Sequence, residues 1–322
     1  MKFLSLLILA ILLHACSQQE VFTSQAIKQF SHSEQALEHT ALSLDGKFSL
    51  SATSTGVCLW NNQTDKLHIP CLTGEASKFV EIVGISQNNQ FFFTSNQVVV
   101  RLYNVNSGKQ FGEWQLAENI INDIAISANG DTLLFGTRSG IAAIIDTRSQ
   151  KITSYQKHKL DINSVSLSAN GQRAFTGSSD KTAQLWHTAT GETIYSLAHK
   201  SRVNHVTISE DGSLGVSLDA IKDHTIWDLN SGQAKASLDT HLRFFEFNTA
   251  RFSADNKWLL AGLPKRKVQL WRVNDGVKLA EWLAHQQRAR AAVLAVTFIN
   301  DKQIATENSD GLLEIWDLPP LN

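Results

Sequence analysis

The sequence predicts an all-β fold made of one unit repeated seven times, and three observations predict it. First, a seven-residue pattern recurs as LEHTALS from Leu37, VEIVGIS from Val80, INDIAIS from Ile121, INSVSLS from Ile162, VNHVTIS from Val203, FNTARFS from Phe247 and VLAVTFI from Val293. The starts lie 43, 41, 41, 41, 44 and 46 residues apart, and apolar residues alternate within each copy, the period of a strand. Second, each copy runs into a turn pair: Asp45-Gly46, Asn88-Asn89, Asn129-Gly130, Asn170-Gly171, Asp211-Gly212, Asp255-Asn256 and Asn300-Asp301. Asn, Asp and Gly tolerate the positive φ of tight hairpins. Third, an aromatic or apolar anchor follows roughly 15 residues on, at Trp60, Tyr103, Ile145, Trp186, Trp227, Trp271 and Trp316.

Three anchors sit in Ile226-Trp227-Asp228, Ile315-Trp316-Asp317 and Ile144-Ile145-Asp146. With the strand, turn and anchor spacing, these give a chain that resembles the WD40 repeat family over nearly all of its length. The resemblance implies a seven-bladed β-propeller, each blade a four-stranded antiparallel sheet. A further strand follows most anchors and ends in histidine, at His158, His199, His241 and His285. The chain stops shortly after Trp316-Asp317 without one, whereas the N-terminal stretch QAIKQFSH, residues 25–32, has the missing pattern. We therefore expect residues 25–32 to supply the outer strand of the last blade and so protect an edge.

Ahead of this domain, Lys2 precedes an apolar run from Phe3 to Leu13, the length of a signal-peptide core and short of a membrane span. Leu13-His14-Ala15-Cys16 resembles the lipobox of bacterial lipoproteins. That implies a signal peptide over 1–15, a lipidated tether over 16–24 beginning at an acylated Cys16, and a propeller over 25–322. Ser17 matches the outer-membrane sorting choice, so the expected location is the outer membrane, facing the periplasm. Cys58 and Cys71 remain in a compartment where disulfides persist; a bridge and a pair of small buried hydrophobes are both open.

Composition narrows the function. Of 322 residues, 29 are Lys or Arg and 30 Asp or Glu, a net charge of −1, with 43% hydrophobic residues. A large core is available, and neither a generic nucleic-acid surface nor a disordered acidic chain is expected. No HExxH, CxxC, GxSxG, phosphate loop or calcium loop occurs. Gly136-Thr-Arg-Ser-Gly140 only loosely resembles a nucleophile elbow and falls in a hairpin turn. The expectation is a non-catalytic scaffold that binds an envelope protein, with no cofactor or metal. A binder of peptidoglycan or another envelope polymer through the channel mouth is the second reading, and a hydrolase or lyase the third.

The WD40 resemblance also implies a hydrogen-bonded chain of His, Ser/Thr, Asp and Trp inside a blade. His158, Thr176, Asp180 and Trp186 match it, as do His285, Thr306, Asp310 and Trp316. Gln97, Ser139, Ile221 and Lys265 replace the Asp in blades 2, 3, 5 and 6, which are expected to rely on packing. In the family the channel mouth carries the loops before the first strand and between the second and third. Asn122, Asn163, Asn204 and Asn248, with Glu38 and Glu81, would ring it, either as ligand groups or as partners for unpaired backbone. Arg243, Phe244, Phe245, Lys265, Arg266, Lys267, Arg288 and Arg290 would gather beside blades 6 and 7, either as a hot spot for an acidic partner or as a solvated face.

Overall fold

The computed structural model describes residues 21–116, 119–240 and 245–320, and the side chains of all of these but 75 and 76. The leader, Cys16, His241, Arg243 and Phe244 lie outside the described residues. The strands form seven separate four-stranded antiparallel sheets, a seven-bladed β-propeller. The inner strands are His39–Leu42, Ile82–Ile85, Ile121–Ile126, Ile162–Leu167, Val203–Ile208, Thr249–Phe252 and Val293–Asn300, the seven copies of the repeat. Among the described residues the one departure from β structure is a 3-10 turn at Gly74–Ser77.

Blade 4 shows why the sequence folds this way. Its strands are Ile162–Leu167, Arg173–Ser178, Thr182–His187 and Thr193–Ala198, paired in that order. The second strand is buried from Ala174 to Ser178 on both faces, because a neighbouring blade covers each side. The outer strand is exposed or half-buried except at Leu197, and polar residues alternate with apolar ones along it.

The turn from inner to second strand is locked in six blades. The hydroxyls of Ser43, Ser86, Ser127, Ser168, Ser209 and Ser253 donate to Oδ1 of Asp45, Asn88, Asn129, Asn170, Asp211 and Asp255 at 2.6–2.9 Å. Each also accepts the backbone N–H five residues on at 2.9–3.0 Å. The second turn residue takes positive φ in these six, from Asn89 at 58° to Gly130 at 79°. Ile299 holds the serine position in blade 7.

Seven apolar clusters hold the ring, one at each junction between neighbouring blades. The junction of blades 7 and 1 is the thinnest: Leu42, Ala295, Ala305 and Leu313, with Phe30 and Ile299 against them. Polar contacts reinforce it. His32 Nδ1 lies 2.8 Å from Glu307 Oε1 with both side chains fully buried, Thr40 donates to the same carboxylate, and His32 stacks on Trp60 at 4.8 Å. Blade 1 has an outer strand of only two residues, Lys66–Leu67. Beside it a disulfide joins Cys58 to Cys71, which stabilises by about 3 kcal/mol in the chain-entropy model.

The last blade is closed from the N-terminus. Lys28–Ser31 pairs antiparallel with Leu312–Asp317, from Lys28↔Ile315 to Ser31↔Leu312. The fold begins before residue 25, however. Phe22 donates to the Leu279 carbonyl at 3.1 Å and accepts from Glu281 N–H at 2.9 Å, and Trp282 donates to Ser24 Oγ at 3.1 Å. Residues 22–24, expected in the tether, thus lie along the outer strand of blade 6. Deleting residues 21–32 removes one strand of a four-stranded sheet and the polar half of the thinnest junction. The melting temperature should fall by about 10 °C or more; an unchanged melting curve would refute this account of closure.

Candidate binding faces and the central channel

The hydrogen-bonded chain of blade 4 is complete. Trp186 Nε1 donates to Thr176 Oγ1 at 3.3 Å, and Thr176 Oγ1 meets His158 Nε2 at 2.9 Å. His158 Nδ1 faces Asp180 Oδ2 at 3.1 Å. A proton on Nδ1 satisfies every pair at once: Trp to Thr, Thr to His, His to Asp. Burial holds the His158 pKa below its ordinary value, in keeping with this neutral ring.

Blade 7 corrects the expectation of a second complete chain. Trp316 Nε1 donates to Thr306 Oγ1 at 3.0 Å, but the His285 side chain is exposed. The carboxylate of Glu314 binds the His285 backbone N–H at 3.0 and 3.1 Å and fixes the loop there. Asp310 is engaged by the N–H groups of Gln287 and Arg288, at 2.7 and 2.9 Å. Blade 5 departs the other way, with more polar order than expected. Trp227 donates to Ser217 Oγ at 2.7 Å, and Ser217 meets His199 Nε2 at 2.8 Å. Asp219, buried two residues after Ser217, accepts the N–H groups of Ile221, Lys222 and Asp223 and so shapes the loop that Ile221 occupies. His199, Asp219 and Asp223 bring ligand atoms within 4.8 Å of one another. Ser217, the loop N–H groups and Lys200 at 3.3 Å draw on several of their polar atoms, while His199 Nδ1 is buried without a hydrogen-bond partner. Blade 6 does rely on packing: Ala261 offers Trp271 no hydroxyl, and Phe245 and Phe247 meet its ring edge-on and tilted.

The asparagine ring is real, and its donors have a structural task. The inner strands bulge at Asn122, Asn163 and Asn204, between Ile121/Asp123, Ile162/Ser164 and Val203/His205. The bulge turns the residue out of its own ladder. Asn122, Asn163 and Asn248 then donate to the carbonyls of Ile162, Val203 and Val293 at 3.0, 2.8 and 3.0 Å, stitching each blade to the next. Asn204 lines the channel beside them. Glu81 accepts from Gln97 rather than standing free.

Behind the ring lies a polar channel cavity of about 480 Å³ lined by Asp123, Ser164, His205 and Arg251 among others. Asp123 accepts the N–H of Val165 and of Ile124, both at 2.8 Å, and burial pushes its pKa up to about 6. Burial pushes His205 down to about 4, and its Nε2 lies 2.9 Å from Thr207 Oγ1. Ser139, in the glycine-flanked stretch that loosely resembles an elbow, donates to Asn119 at 2.6 Å within an exposed hairpin turn.

The basic patch on blades 6 and 7 is largely taken apart. Phe245 is buried at 6% exposure between His224, Phe247 and Trp271, so it is core. Lys267 pairs with Glu281 at 2.8 Å, Arg266 donates to the Ala284 carbonyl at 3.1 Å, and Arg288 donates to the Glu34 carbonyl across the closing junction. Lys265 and Arg290 remain exposed on turns of positive φ. Local sequence density placed the charges together but did not show which ones the fold uses. The same face carries a broader feature that the sequence reading missed. Arg138, Lys159, Lys181, Lys200, Arg202 and Lys222 are exposed on the loops of blades 3 to 5. Between them stand Ile120, Leu160 and Ile221, at 37%, 52% and 41% exposure. Aligning the loops, rather than the strands, was the signal that could have found it.

The opposite face, formed by the turns after the inner strands, holds a cavity of about 530 Å³ that the sequence reading also missed.

The model of a β-propeller family described as nucleolar protein 10-like, N-terminal domain, matches residues 40–227, more than half of the chain. No curated protein matches it.

Two predictions follow from the blade interiors. Thr176→Val leaves the indole of Trp186 and the ring of His158 without a shared partner and should cost about 2 kcal/mol. Ala261→Ser offers Trp271 Nε1, which lacks a partner, an acceptor and should stabilise by about 1 kcal/mol. Urea unfolding of both variants checks the opposite signs. The second prediction concerns pH. Burial raises the pKa of Glu314 from 4.5 to about 7, with the His285 N–H opposing. The folded state therefore holds this proton more tightly than the unfolded state. Its contribution is full below about pH 4.5 and is lost as pH rises to about 7. Glu314→Gln should leave stability similar near pH 4.5 and raise it at pH 8, read from melting curves across that range.

Proposed function

The chain belongs to the nucleolar protein 10-like N-terminal propeller family, and from that premise we propose that it is a non-catalytic interaction scaffold of WD40 type. The word nucleolar describes the protein for which the family is named; the location proposed here rests on this chain's own N-terminus. Leu13-His14-Ala15-Cys16 after an apolar run supports a lipoprotein, acylated at Cys16 and held at the outer membrane facing the periplasm. Tethering would raise its effective concentration near membrane-bound partners. No cofactor, metal or nucleic acid enters this reading.

One observation carries the binding proposal: exposed cations interleaved with exposed aliphatic side chains on the loops of blades 3 to 5. Leu160 lies between Lys159 and Asp161, and Ile221 beside Lys222. Aliphatic groups supply area, and the surrounding cations select an acidic segment and speed its approach. Rigid blades hold these loops in place, so little ordering entropy opposes association. The partner is then a protein with an acidic, apolar segment within reach of the membrane. The Asn ring speaks less for a polymer ligand, since three of its amides are committed to the neighbouring blade.

Crosslinking of the full-length protein in its own membrane tests this. The triple charge reversal Lys159→Glu, Lys200→Glu, Lys222→Glu with Leu160→Ala should abolish the crosslinked partner. Asp301→Asn on the opposite face should leave it. Equal capture by both variants would reject this face. Blocking lipoprotein signal cleavage should trap the uncleaved form, and processing that continues under the block would reject Cys16 as the anchor.

A further inference from the structure

The cavity on the turn face begins where the repeat breaks. Six blades end their inner strand in the serine that locks the turn; the seventh ends it in Ile299. Two residues earlier, Thr297 donates to the Leu44 carbonyl across the closing junction, at 2.7 Å. The apolar side chain of Ile299 then faces a hollow between blades 6, 7 and 1, walled by Phe252, Trp258, Phe298 and Leu318. Its volume of about 530 Å³ falls in the range of small-molecule sites. Trp258, Phe298, Ile299 and Leu318 are each half-buried, so their apolar surface is open to an occupant.

The rim of this apolar hollow is negative. Asp45, Glu210, Asp255 and Asp301 line it, against the single cation Lys257, which lies 3.2 Å from Asp255. Asp45 and Asp255 also serve their turn locks. Neither Glu210 nor Asp301 takes part in a turn lock; Glu210 is half-buried and also interacts with the buried guanidinium of Arg251, and Asp301 is exposed. Carboxylates over aromatic and aliphatic walls repel anions and favour a cation whose body can be buried beside Trp258 and Phe298.

We propose that this cavity binds a small organic cation: an aromatic or branched aliphatic body carrying one ammonium or guanidinium group. The body fills the hollow against Trp258, Phe298 and Ile299, and the cation reaches Glu210 and Asp301 at the rim. The site is independent of the loop-face scaffold reading and lies on the other side of the disc.

Titration calorimetry of the full chain at low salt with three probes of one shape tests it: phenethylamine, its neutral N-acetyl derivative, and 3-phenylpropionate. The amine should bind about ten-fold more tightly than the neutral amide, the carboxylate should not bind, and added salt should weaken the amine alone. The double variant Glu210→Gln, Asp301→Asn, which leaves every turn lock intact, should bring the amine down to the affinity of the amide. Ile299→Ser should weaken both, and a melting curve like that of the parent protein shows that these variants fold. Equal affinity for amine and amide, an amine affinity unchanged in the double variant, or no binding of the amine at millimolar concentration would each overturn the proposal.

Discussion

No sheet runs from one blade to the next, so the ring stands on seven apolar junctions, the side chains that stitch them and single backbone hydrogen bonds such as Ala128 N–H to the Ala169 carbonyl and Leu37 N–H to the Ser309 carbonyl. A ring is only as closed as its weakest junction, and here that is the junction of blades 7 and 1. Its buried apolar set is two leucines and two alanines, where the junction of blades 6 and 7 contributes Trp282, Trp316 and several aliphatics. Burial scales with area, so this junction has the least hydrophobic stabilisation. The fully buried His32–Glu307 pair, the Thr40 contact and the His32–Trp60 stack are concentrated there. A buried ionisable pair is a strong specifier of geometry and a weak source of net stability. It makes sense where two ends of one chain must meet in a single register.

The cavity forms where two junctions meet: Trp258, Phe298 and Leu318 come from the junction of blades 6 and 7, and Ile299 from the thin one. Gly46, the turn glycine of blade 1, lies so close to Ile299 that a Cβ there would come within 2.9 Å of its Cγ1. Ile299, which lines the hollow, is therefore backed by a position with no room for a side chain.

Much of the fold was legible because it is periodic. Strand alternation, turn pairs drawn from Asp, Asn and Gly, and aromatic or apolar anchors recur seven times, and each copy corroborates the others. The closing strand was legible as a pattern missing at one end and present at the other. What was not legible were side chains whose partners come from outside the repeat. His285 has the right place in sequence, but Glu314, buried on a neighbouring strand, takes its backbone and turns the ring outward. Asp219 stands two positions from the expected acid and still orders its loop. Lys267, Arg266 and Arg288 read as a patch because sequence shows charge and not pairing; Glu281 and two carbonyls claim them. The most informative deviation was in plain view: six repeats end in serine and one in isoleucine. Reading repeats for their likeness hides the copy that differs, and function is free to occupy that copy because the fold asks least of it.

The closing strand also sets a clock. His32 and Glu307 are 275 residues apart in the chain, and Lys28–Ser31 has no sheet to join until Leu312–Asp317 exists. At 5–20 residues per second, synthesis separates the two by roughly 15 to 60 s. Throughout that interval the first strand made is an unpaired edge, and the outermost position of the last blade stays vacant until the end. Folding cannot finish from the N-terminus forward as it does in a linear array. A ring that only Leu312–Asp317 can complete stays open until that strand has been made.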